Sequence, residues 1–86
     1  MMNAPRIQSV TPLPDKRLSV KFVNGIEKTY DCRQLLGLEM FQSLKNEAFF
    51  KSAKVDPGGY GVSWSDDVDL SEHELWVNGK QLTSAE

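Results

Sequence analysis

One cysteine, one histidine and no long apolar run leave this 86-residue chain few routes to chemistry. Cys32 alone can neither close an intrachain disulfide nor build a metal site. It fits a reducing compartment, so a cytoplasmic location is expected. His73 lacks the second histidine at helical spacing that a helix-borne metal site needs, and a surface position is expected for it. No apolar stretch approaches the ~20 residues of a membrane span. No apolar segment follows Met1-Met2 in the manner of a signal peptide, so no membrane partner is expected. Basic residues are few and scattered. Ten Lys and Arg against twelve Asp and Glu give a formal charge of −2, and Lys16-Arg17 is the only adjacent pair. A nucleic-acid binder shows a basic stripe, so nucleic acid is not an expected partner. Gly58, Gly59 and Gly61 spell G-G-x-G, but between two strand patterns. A phosphate loop joins a strand to a helix, so this is read as a hairpin turn.

What is present suits one small folded domain. Hydrophobic residues make up 40% and charged residues 26%, ordinary values for a globular chain. The length allows a single domain, placed at residues 6–80 between a loose start (1–5) and a frayed end (81–86).

The strongest local signal is a hairpin. Leu18, Val20 and Phe22 alternate with Ser19 and Lys21, the period of a half-buried strand. After Asn24-Gly25 the alternation resumes through Ile26, Lys28 and Tyr30. A two-residue Asn-Gly turn would put Val20 and Phe22 on the face of Glu27 and Thr29. A three-residue loop, Val23-Asn24-Gly25, instead pairs Phe22 with Ile26, Val20 with Lys28 and Leu18 with Tyr30. This loop is preferred, with Gly25 left-handed in a G1 bulge; a slip of one residue would turn the apolar set outward.

Upstream, a first strand is expected over Arg6–Pro12. Ile7 and Val10 are an odd number apart, so a bulge or burial on both faces is required. The stretch Pro12 to Lys16 is read as a turn. Downstream, Asp31 is the expected cap of a short helical turn that Gly37 interrupts. Met40, Phe41, Leu44, Ala48 and Phe50 recur at spacings of three and four, the mark of a helix over Glu39–Ser52. Asn46 is placed to re-cap it, which would break it in two. Of Phe49 and Phe50, only one is expected inside. A second hairpin is read over Ala53 to Trp64, with Tyr60, Val62 and Trp64 on one face and Pro57-Gly58-Gly59 as its turn. Asp66-Asp67 marks a loop. Ser71 and Glu74 form an S-x-x-E capping box, and Leu70 and Leu75 stand at the two positions of a hydrophobic staple. A helix from Glu72 to about Asn78 follows, stopped by Gly79.

No constellation for catalysis emerges, and no cofactor is expected. Asp66, Asp67, Asp69, Glu72 and Glu74 are the only dense acidic cluster. They lack the spacing and central glycine of a calcium loop, and capping suits carboxylates near a helix start. Cys32 and His73 lack the third group and the oxyanion motif of a nucleophile–base pair. Trp64 is expected in the core. Trp76 follows Leu75 on a short helix, so both cannot point inward. Trp76, His73, Asp66, Asp67 and Glu72 therefore make the candidate interaction surface.

Several segments resemble a small bacterial family known as domain of unknown function 2442. They are Leu18 to Phe22, Asn24-Gly25, Tyr30-Asp31, Phe41 to Leu44, Phe50, Val55-Asp56, Gly61, Trp64 and Asp69 to Ser71. The resemblance implies a small α+β domain with an antiparallel sheet and carries no established activity. Some relatives add a helix-turn-helix, and some are encoded beside another small protein in arrangements resembling toxin–antitoxin pairs. The expectation is an α+β domain in the order β-β-β-α-β-β-α. Its expected role is a non-catalytic interaction module with a protein partner or a second copy, in an antitoxin-like pairing. The alternatives are a small-molecule or metal-responsive domain using the acidic 66–74 loop, and a small enzyme working through Cys32, His73 or that loop.

Overall fold

The structure is a computed structural model, and it describes residues 4–81. The first hairpin sets its frame. Strands β1 (Ile7–Leu13), β2 (Arg17–Phe22) and β3 (Glu27–Asp31) run antiparallel. The β2–β3 register pairs Leu18 with Tyr30 and Val20 with Lys28, and the Phe22 N–H donates to the Ile26 carbonyl at 2.9 Å. This is the three-residue loop, closed by Gly25 at φ +90°. The β1–β2 register shifts between Ile7 and Ser9, making Gln8 the extra residue. The bulge puts Ile7 opposite Phe22 and Val10 opposite Val20, so both apolar anchors share the inner face despite their odd spacing. Pro12 lies inside β1 rather than in the turn. The turn tightens onto Asp15 and Lys16, at φ 67° and 59°.

Asp31 caps a 3₁₀ turn, Cys32–Leu35, by accepting from the Arg33 N–H at 2.9 Å. The expected helix over 39–52 is two pieces, as the Asn46 signal suggests. The first is a 3₁₀ helix, Glu39–Lys45, and the second is α1, Glu47–Phe50, capped by Asn46 through the Phe49 N–H. The break changes which residues face inward. Three residues per turn align Phe41 with Leu44 and leave Met40 60% exposed. The extended backbone at Asn46 (ψ 119°) resets the phase, so Ala48 is exposed while Phe50 is buried and Phe49 half-buried.

The second hairpin belongs to a separate three-stranded sheet, not to the first. Its strands are β4 (Lys54–Val55), β5 (Gly61–Ser65) and β6 (Val68–Ser71). β6 was not expected: the Asp66-Asp67 loop is the turn between β5 and β6, since Ser65 pairs with Val68. Tyr60 does not share the inner face of Val62 and Trp64. It precedes β5 and stands exposed, with the Arg6 guanidinium 4.8 Å from its ring centre. Helix α2 (Glu72–Asn78) follows, and a two-residue strand β7 (Lys80–Gln81) adds to the edge of β3. Gln81, expected in the frayed end, is thus paired with Lys28. The remaining expectations for the loose start and the frayed end fall largely outside the described residues. Gly79 ends α2 with φ −78°, not in the left-handed region.

One core joins the two sheets. Leu18, Val20, Phe22 and Tyr30 from the first meet Val62, Trp64, Val68 and Leu70 from the second, with Leu44, Phe50 and Leu75 completing it. The Trp64 indole N–H donates to the Phe50 carbonyl at 2.8 Å inside this core.

Candidate functional site

The alternation that turns Leu18, Val20 and Tyr30 inward turns Arg17, Ser19, Thr29 and Asp31 outward. All four are half-buried there. Register places Arg17 beside Asp31 and Thr29 beside Lys80, neighbours about 4.5–5.5 Å apart on an antiparallel sheet. The 3₁₀ turn after β3 adds Arg33. Together these five side chains line a concavity of about 510 Å³. Gln34, Asn78 and Gln81 supply neutral amides at its rim.

Its charges are unequal, with three cations against one carboxylate. Asp31 accepts from Arg33 through both oxygens, at 3.0 Å from Nε and 2.8 Å from Nη2. The Arg33 guanidinium, and then its backbone N–H, hold the Asp31 carboxyl below the usual range. Arg17 reaches the Pro14 carbonyl through Nε at 3.3 Å. Among the described residues neither Arg17 nor Lys80 makes an ion pair.

The residues expected to form an interaction surface lie elsewhere, in the β5–β6 turn and on α2. Asp66, Asp67 and His73 are exposed, and Glu72 is half-buried. Trp76 is less free than expected. Its ring meets Phe22 edge-on, with centroids 5.0 Å apart, and Lys28 Nζ lies 3.9 Å from its centre while donating to the Trp76 carbonyl. The capping box is half made. Ser71 Oγ accepts from the Glu74 N–H at 3.1 Å, but the Glu74 carboxylate accepts instead from the Tyr30 hydroxyl at 2.7 Å. Leu70 and Leu75 are both buried, as a staple requires.

The acidic loop does not converge. Among the described residues no three His, Cys, Asp or Glu side chains stand together as a metal site would need. Cys32 is fully buried, and desolvation followed by the nearby Asp31 charge pushes its thiol up to about 12. Burial, then the Glu74 carboxylate, raises the Tyr30 phenol well above its ordinary value. Sequence reasoning missed the cleft because its residues come from five separate elements. The one signal available was the outward phase of Arg17 and Asp31 in the hairpin register.

Comparison with curated proteins and with solved structures finds no match. The model of one family, described as protein of unknown function (DUF2442), matches residues 7–81, nearly the whole described chain, and the protein belongs to that family.

Proposed function

We propose that this chain is a non-catalytic interaction module of the bacterial cytoplasm, pairing with a second small protein in an antitoxin-like arrangement. The observation that carries the reading is that four of its reactive side chains are engaged in holding the fold, while His73 and the 66–67 carboxylates stand exposed and apart from them. Cys32 is sealed in the core, Glu74 receives the Tyr30 hydroxyl, Asp31 holds Arg33, and Ser71 caps α2. The second sheet offers an edge in their place. Among the described residues β6 pairs with β5 alone, and an unpaired strand edge is a template for strand addition. Asp66, Asp67 and Asp69 line its approach, which suits a basic partner segment.

The test is capture of the partner with tagged protein from host lysate, followed by titration of the two purified proteins. Asp66→Lys with Asp67→Lys should weaken the complex at least about tenfold, since rim charge reversal opposes docking. Trp76→Ala is a poorer probe, because it also removes packing on Phe22. Unchanged affinity in the double variant would overturn this surface, and the absence of a stoichiometric partner would overturn the two-protein reading. Sedimentation at rising concentration tests a second copy as the partner.

A ligand-responsive role is the second reading. The acidic loop gives it no geometry for a metal. The cleft on the first sheet is the observation that favours it.

A further inference from the structure

We infer that the cleft of Arg17, Thr29 and Lys80 binds the phosphate group of a small molecule. This goes beyond the interaction-module reading and does not rest on it. Asp31 and Arg33 neutralise each other through their paired hydrogen bonds. Arg17 and Lys80 then leave two positive charges in one concavity of a chain whose formal charge is −2. Three cations against the single Asp31 carboxylate leave the concavity with an excess of positive charge, and like charges so gathered raise the energy of the free protein. An anion carrying about −1.5 to −2, the charge of a phosphate monoester at neutral pH, matches them. Register sets Lys80 opposite Thr29, with Arg17 one outward position further along β2, opposite Asp31, and the Thr29 hydroxyl is a third donor for phosphate oxygens. Gln34, Asn78 and Gln81 can hydrogen-bond what the phosphate carries. The lining has no aromatic or large aliphatic side chain, so it favours a small hydrated ligand over an apolar one.

Proton–nitrogen correlation NMR of the full chain, titrated with inorganic phosphate at constant ionic strength, tests this. Saturable shifts should centre on Thr29, Arg33, Gln34 and Lys80. Lys80→Gln, at an exposed position that leaves the core intact, should weaken binding about tenfold; Arg17→Gln should do the same. Ribose 5-phosphate in a parallel titration separates the sources: tighter binding than inorganic phosphate assigns a phosphate ester, and equal binding assigns free phosphate. An absence of saturable shifts at the cleft with both probes would overturn the proposal. So would binding that both substitutions leave unchanged.

Discussion

A methyl group added at Gly79 would clash with the Leu75 carbonyl oxygen and stand 3.1 Å from Lys28 Cβ. At Gly25 a methyl meets nothing within 4 Å, and the objection is φ +90° alone. Gly79→Ala should therefore cost about 2–3 kcal/mol, as overpacking does, and Gly25→Ala about 1 kcal/mol; urea midpoints of the two variants check the order. Cys32 makes a separate prediction. Its thiol is raised to about 12 when folded against about 8.5 in the unfolded chain. Its contribution to stability is complete below the lower value and is lost as pH rises between the two. The slope should be about 1.4 kcal/mol per pH unit, and denaturation of Cys32→Ala between pH 8 and about 12 should lack it. Asp31 acts at the other end. Its carboxyl is lowered by Arg33, so the stability it adds is present above about pH 4 and fades as pH falls through the folded value. The exposed setting of the pair keeps that effect small, and Asp31→Asn should flatten the acid limb.

At the scale of elements, caps were the most legible feature. Asp31, Asn46 and Ser71 each accept the backbone N–H expected of them. Asn46→Ala and Ser71→Ala should each cost about 1 kcal/mol, measurable as a shift in thermal midpoint. The hairpin register was legible because only one phase buries Leu18, Val20 and Phe22 together. Strand β6 was not, although Val68 and Leu70 do alternate with Asp69 and Ser71. Four residues carry a weak period, and the capping signal at Ser71 reads as the start of a helix. β7 could not be read at all: Lys80 and Gln81 are polar and join by backbone pairing. The Glu39 helix misled through its period, since 3₁₀ geometry and the reset at Asn46 turn Met40 and Ala48 outward.

Across the whole molecule, two sheets share one core, and this predicts one unfolding transition. Trp64 reports on the second sheet, and Trp76 reports on the first through Phe22. Single-tryptophan variants, Trp64→Phe and Trp76→Phe, should give coincident denaturation midpoints once each is referred to its own stability by calorimetry. Distinct fluorescence and calorimetric midpoints within one variant would mean that the sheets unfold separately. The cleft belongs to this scale too. It exists only when β2, β3, the Cys32 turn, the end of α2 and β7 have come together, so no local stretch of sequence announces it.

The Tyr30–Glu74 and Lys28–Trp76 contacts join residues 44 and 48 positions apart. During synthesis at about 5–20 residues per second, the ribosome needs roughly 2–10 s to deliver the later partner. The first hairpin closes within about 1–10 μs. Each nascent chain therefore carries a half-built sheet for seconds, with Leu18, Val20 and Phe22 uncovered until the last helix emerges, and that interval is when the chain is most open to chaperones and to aggregation.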